Sequence, residues 1–161
     1  MSIKLTTKSP LASFDLVDSR SLALTLATGS FRDRVAAWLL GRLEREGFEG
    51  LTGRQLVFLS ALSCGPNHAA NLARFLGISR QAVHKVVREL GRRGWLTTET
   101  DTQLGNQRVI RFTVEGERMM ALARQYLSEL DNVLLSEFGD DGLETVSRFL
   151  DFNPSAPSDE S

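Results

Sequence analysis

The sequence predicts a mainly α fold with one small β-hairpin, an α+β winged helix of about six helices. Three observations support this: apolar residues recurring at helical spacing, a glycine corner between two short helices, and two strand-like runs directly behind the second. The corner lies in A-A-N-L-A-R-F-L-G-I-S-R-Q-A-V-H-K-V-V-R-E-L, Ala69 to Leu90. Leu72, Ala73 and Leu76 share one side of the first helix, and the small Ala73 permits close approach of the second. Gly77 supplies a left-handed helix end, Ile78 is expected to plug the corner, and Ser79 is the N-cap of the next helix. Val83, Val86, Val87 and Leu90 then form the inward stripe.

Burying that stripe turns Arg80, Gln81, His84, Lys85 and Arg88 outward. Arg and Lys match guanine O6 and N7, and Gln matches adenine N6 and N7. Ser79, Arg80, Gln81, His84 and Lys85 are therefore the candidate base-reading residues. Arg74, Arg88, Arg92 and Arg93 are candidates for the phosphate backbone. Trp95 to Glu99 and Arg108 to Val114 read as strands joined by a polar turn with Gly105 and Asn106. Leu96 and Thr98 alternate on one strand, and Ile110 and Phe112 share a face of the other. Such a hairpin is a wing, and Arg108, with Asn106, is its candidate for reaching DNA.

Helices flank this motif. Ser30 with Asp33 has capping-box spacing, and Phe31, Val35, Trp38, Leu39 and Leu43 form a stripe up to Gly47. Thr52 with Gln55 repeats the device before Leu56, Phe58, Leu59 and Leu62, with Gly65-Pro66 as the stop and Asn67 as the next cap. Thr113 caps a long helix to about Glu137, Gly139 breaks it, and Asp141 and Glu144 open a last helix ending at Asn153-Pro154. The expected domains are an N-terminal arm (1–30), a winged-helix protomer (31–152) and a disordered acidic tail (153–161). Leu22, Leu24 and Leu26 in the arm suit a strand, whereas Ser19, Leu22, Ala23 and Leu26 suit a short helix.

The overall net charge of -1 conceals segregation. Asn67 to Arg111 carries eight basic residues against three acidic, about +5, whereas Phe112 to Ser161 carries three against eleven, about -8. A basic centre steers toward phosphate and an acidic remainder orients docking. No apolar run is long enough to cross a membrane, so a cytoplasmic protein without a membrane partner is expected. No phosphate loop, dinucleotide fingerprint, nucleophile elbow or zinc-protease helix is present, and no enzyme activity or cofactor is expected.

Cys64 is the single cysteine, and its place at a helix end beside Gly65-Pro66 favours an unreactive thiol. His68 with Cys64 is too small a set for a metal, so a capping or surface histidine is expected. His84, among the outward residues, would make binding modestly pH dependent. Apolar surface on the first and last two helices exceeds what one winged helix covers, which points to a homodimer built from 31–47 and 114–152 around a DNA-binding unit, 52–113. Two such units would place their outward helices about 34 Å apart, one DNA turn.

With this order of elements, the chain resembles the MarR-type transcriptional regulators from Phe31 to Phe152. The resemblance is strongest in L-T-G-R-Q-L-V-F-L-S-A-L (Leu51 to Leu62), N-L-A-R-F-L-G-I-S-R-Q-A-V (Asn71 to Val83), V-V-R-E-L-G-R-R-G-W-L (Val86 to Leu96) and N-Q-R-V-I-R-F-T-V-E-G (Asn106 to Gly116). Arg108 matches the family's wing arginine, while Asn106 stands where an aspartate is expected, leaving Glu99 or Asp101 to hold Arg108 instead. The resemblance implies a homodimer on a roughly palindromic operator in double-stranded DNA, usually a repressor relieved by a small molecule or oxidant. It also implies an aromatic-acid effector near the junction of Trp38, Phe58 and Met119, three residues that serve equally well as core. The competing reading is a winged-helix protein-protein interaction module without specific DNA binding.

Overall fold

The computed structural model describes residues 19–63, 67–101 and 107–153. Ser19 rather than Ser30 starts the first helix: its hydroxyl accepts from the Leu22 amide at 3.4 Å, and α1 runs Arg20–Arg45. The Ser30 hydroxyl instead accepts from Arg34 at 2.7 Å and Asp33 pairs with Arg32, both inside the helix. The 22–26 segment of the expected arm is thus helical. Its alternating leucines spread around the helix, and Leu22, Leu24 and Leu26 all remain exposed.

Helix α2, Gly53–Ser60, opens on the expected capping box: Thr52 accepts from the Gln55 amide and the Gln55 side chain accepts from the Thr52 amide. It ends at Ser60, earlier than the expected Gly65-Pro66 stop, because the Ala61 and Leu62 amides turn back to the Phe58 and Leu59 carbonyls. Cys64, Gly65 and Pro66 lie outside the described residues.

Helix α3, Ala69–Leu76, is capped by the backbone of His68 and not by Asn67. Gly77, at φ 64°, closes it in the left-handed region. Ser79 then accepts from the Ala82 amide at 3.1 Å and starts α4, Arg80–Arg92. Strands β1 (Leu96–Asp101) and β2 (Gln107–Phe112) pair antiparallel, with Leu96 opposite Phe112 and Thr98 opposite Ile110. Asn106 and the rest of the 102–106 turn lie outside the described residues, as does the tail from 154. Thr113, accepting from the Gly116 amide, begins α5, Val114–Asp151. Gly139 breaks α5 as expected (φ 67°, ψ 172°), so the five helices among the described residues comprise six helical segments.

One core joins these elements. Leu39 and Leu43 of α1, Phe58 and Leu59 of α2, Leu72 and Ala73 of α3, Val83, Val87 and Leu90 of α4, Leu96 and Ile110 of the wing, and Met119 and Ala123 of α5 are all buried. Its densest seam is where the wing turns into α5. Thr113 donates from its hydroxyl to the Gly94 carbonyl and from its amide to the Trp95 carbonyl. Gly116 packs so closely that a Cβ there would sit 2.0 Å from the Trp95 carbonyl oxygen.

Outside that core, Phe31 on α1 and Leu127, Leu135, Phe138, Val146, Phe149 and Leu150 on α5 are exposed. Among the described residues no helix is long and apolar enough to cross a membrane. The seam makes a sharp prediction: Gly116→Ala lowers the unfolding free energy by about 2–3 kcal/mol in a denaturant titration. By contrast Gly41→Ala, inside α1 with open space around the added carbon, raises it by up to about 1 kcal/mol.

Candidate nucleic-acid interface

The outward face of α4 is built by what its inward face buries. Val83 and Leu90 are wholly buried and Val87 nearly so, and the 3.6-residue period leaves Arg80, Gln81, His84, Lys85 and Arg88 exposed. Glu89, the helix's one acidic residue, is half-buried and turned inward, where it accepts from the Gln55 side chain at 3.4 Å. The solvent face is thereby left basic, a role for Gln55 and Glu89 that residue spacing did not signal. Ser79 is exposed at the head of this face, its oxygen engaged in the N-cap. Arg74 on α3 and Arg92 at the end of α4 are exposed as well. Among the described residues, none of the ion pairs engages Arg74, Arg80, Lys85, Arg88, Arg92 or Arg108.

Arg93 behaves differently. Its guanidinium lies 5.2 Å over the Trp95 ring and donates to the Glu49 carbonyl, tying the end of α4 to the loop after α1. Arg118 of α5 does the same from the other side, stacking 5.0 Å over Phe48 and donating to the Glu46 carbonyl. Phe48 and Trp95 meet edge to face at 6.1 Å between the two arginines.

Arg108 is exposed on β2, opposite Thr100. Glu99 does not hold it. That carboxylate faces Arg111, whose Nε lies 3.3 Å away, because Glu99 and Arg111 project from the same face of the hairpin. What anchors the wing is Asn67, buried at 7% exposure. Its backbone bridges Ile110, and its side chain accepts from Ser63 and donates to the Ser63 and Ile110 carbonyls. An asparagine read as a cap instead makes an isolated bridge to β2, where its amide and carbonyl are both paired with Ile110.

The three residues of the expected effector junction differ in their surroundings. Phe58 and Met119 are core, at 3% and 0% exposure, and Trp38 carries the Arg42 guanidinium 4.8 Å above its ring. A groove of about 990 Å³ opens beside Phe58. Arg32, Asp33 and Ala36 of α1, Arg54 and Val57 of α2, and Leu76, Ile78, Ala82 and Val86 of the corner line it. Ile78, expected to plug that corner, is 39% exposed on the groove wall. Among the described residues no group of three metal-ligating side chains gathers.

The comparisons with known proteins follow this geometry. The sequence profile of the MarR family matches residues 49–103, the segment from the loop before α2 through the first strand of the wing. A search of curated proteins returned no match. The chain is similar in fold to the oxidised form of MarR from E. coli, with TM-score 0.62 and 19% identity over 85% of this chain and 95% of that one. It is also similar to FabT of Streptococcus pneumoniae, solved in complex with DNA, with TM-score 0.70 and 11% identity over 81% and 92% of the two chains. A third likeness is to the PcaV regulator of Streptomyces coelicolor, solved with its natural ligand, with TM-score 0.60 and 22% identity over 82% and 89%.

The wing anchor is open to direct test. Asn67→Ala removes buried hydrogen bonds and lowers stability by about 1–3 kcal/mol. Hydrogen exchange at the Ile110 amide, bonded to the Asn67 carbonyl at 2.8 Å, speeds up more than exchange in α4.

Proposed function

We propose that this chain is a sequence-specific DNA-binding transcriptional regulator that acts as a homodimer on a roughly palindromic operator. The observation that carries the reading is α4: a helix held by Val83, Val87 and Leu90 that presents Arg80, Gln81, His84 and Lys85, free of acidic partners, on its first two turns. In this reading those four residues and Ser79 meet base edges, Arg74, Arg88 and Arg92 meet phosphates, and Arg108 reaches out from the wing. Arg93 serves mainly to fix the end of α4, given its contacts to Trp95 and Glu49.

The apolar faces of α1 and of α5 beyond Leu127 support the dimer, because a second copy is the simplest cover for both. The groove beside Phe58 supports a small aromatic effector. Its floor is apolar, and Arg54 on its wall suits a carboxylate, Arg32 being paired with Asp33. Filling it would wedge α1 and α2 away from the corner that carries α4, the route by which repression would be relieved.

Selection of bound duplexes from a random pool tests the reading: two half-sites related by a two-fold axis and centred about one helical turn apart are expected. Affinity for the selected operator falls with salt at a log-log slope near -0.9 per phosphate contacted, and a flat salt response rejects the DNA reading. Arg108→Ala weakens every sequence alike in quantitative binding assays. Gln81→Ala and Lys85→Ala instead change the preferred base at a cost of about 1–3 kcal/mol.

A further inference from the structure

Between the shared core and the exposed arms, α1 and α5 are joined by a polar ladder. The Arg42 guanidinium is sandwiched between the Trp38 ring of its own helix, at 4.8 Å, and the Tyr126 ring of α5, at 4.7 Å. It is also paired with Glu129, one turn further along α5. One turn further along α1, Glu46 accepts from the Tyr126 hydroxyl at 2.9 Å. Thus α1 and its C-cap offer a guanidinium and a carboxylate, and α5 answers with a ring that donates a hydroxyl proton and with a carboxylate.

The location gives the ladder its importance. Along α5 the last buried residue is Ala123, one turn before Tyr126, and along the described part of α1 none before Leu39 is buried, so exposed Phe31 and Leu135 lie beyond the core on the two helices. The helices run antiparallel here, since Arg42 pairs with Glu129 while Glu46, further along the chain, accepts from Tyr126 and from Arg118, further back on α5. The ladder is therefore the waist where the winged-helix body meets the arms.

We propose that the Arg42 ladder is a positioning device that sets the angle of the winged-helix body on its arms, and hence the half-site spacing the protein accepts. The inference rests on the dimeric DNA-binding reading above. A planar guanidinium between two rings resists both sliding and rotation of α5 on α1, whereas an ammonium in its place is a point charge that resists neither. Rotation of the body at this waist carries α4 along the duplex, where one base-pair step is only about 3.4 Å. A stiff waist penalises operators whose half-sites are one step too close or too far, and a loose waist tolerates them.

The test uses the full-length protein and a set of operators, built from its selected half-site, whose spacing varies by one base pair either way. Arg42→Met keeps the aliphatic stem against Trp38, and Arg42→Lys keeps the charge beside Glu129. Both are expected to cut the preference for the best spacing about fivefold while leaving the base preference within each half-site and the dimer, followed by sedimentation, unchanged. Tyr126→Phe, which retains the ring and loses the bond to Glu46, has a smaller effect of the same kind.

An unaltered spacing profile in Arg42→Lys and Arg42→Met overturns the proposal, and so does an equal loss of affinity at every spacing, which marks a stability effect alone. If Arg42→Met does not fold, Arg42→Lys decides by the same readout. Wild-type protein that binds DNA with no dependence on spacing overturns the dimeric reading and this inference together. A spacing-selective wild type with unchanged variants overturns only the inference.

Discussion

The burial of one face of α4 is the constraint on which the rest of the structure depends. Val83, Val87 and Leu90 find their cover in Leu72 and Ala73 of α3, in α2 and in the wing, and that packing leaves the helix one stable rotation about its axis. Its short length makes the point stronger. Thirteen residues do not hold a helix in water unaided, so tertiary contact supplies both its stability and its orientation. The same contacts draw Glu89 inward to Gln55, so that the face left in solvent has a uniform sign.

Around this helix the chain uses stacked arginines as joints. Arg93 on Trp95, Arg118 on Phe48 and Arg42 between Trp38 and Tyr126 each pair a guanidinium with an aromatic face, and each links segments far apart in sequence. Such joints suit half-exposed positions. The ring gives an attractive surface without full desolvation of the charge, and the remaining N–H groups stay available to carbonyls and carboxylates. At the Tyr126 joint the bond to Glu46, chiefly, and then partial burial push the phenol's ionisation above its ordinary range, so the hydroxyl remains a donor there. Counting every arginine of the basic centre as DNA-facing charge overstates the free cation: Arg93 and Arg111 serve the protein's own loop and wing.

The elements readable from the sequence are those whose signals are local. The Thr52-Gln55 box, the Gly77 corner, the Ser79 cap, the Thr113 start and the Gly139 break all stand where residue type and spacing place them, because a cap or a left-handed turn is satisfied within four residues. The misreadings are choices between two locally adequate signals. Ser19 and Ser30 both offer an N-cap, and the earlier one starts α1 while the later lies within the helix and accepts from Arg34. Asn67 offers a cap to α3 and a bridge to Ile110, and the bridge is what forms. Glu99 can face either Arg108 or Arg111, and strand alternation decides for Arg111.

By itself the sequence determined the winged-helix order, the corner that carries α4, the identity of its outward residues and the segregation of charge along the chain, since each follows from periodicity and composition. Tertiary structure alone decided that Glu89 leaves the basic face, that Asn67 secures the wing, that an open groove lies beside Phe58, and that Arg42 bridges α1 to α5. The physical reason is range. Backbone capping and helical periodicity act over one or two turns, whereas these contacts join residues 34 to 87 positions apart, and only the packed core brings such partners within reach.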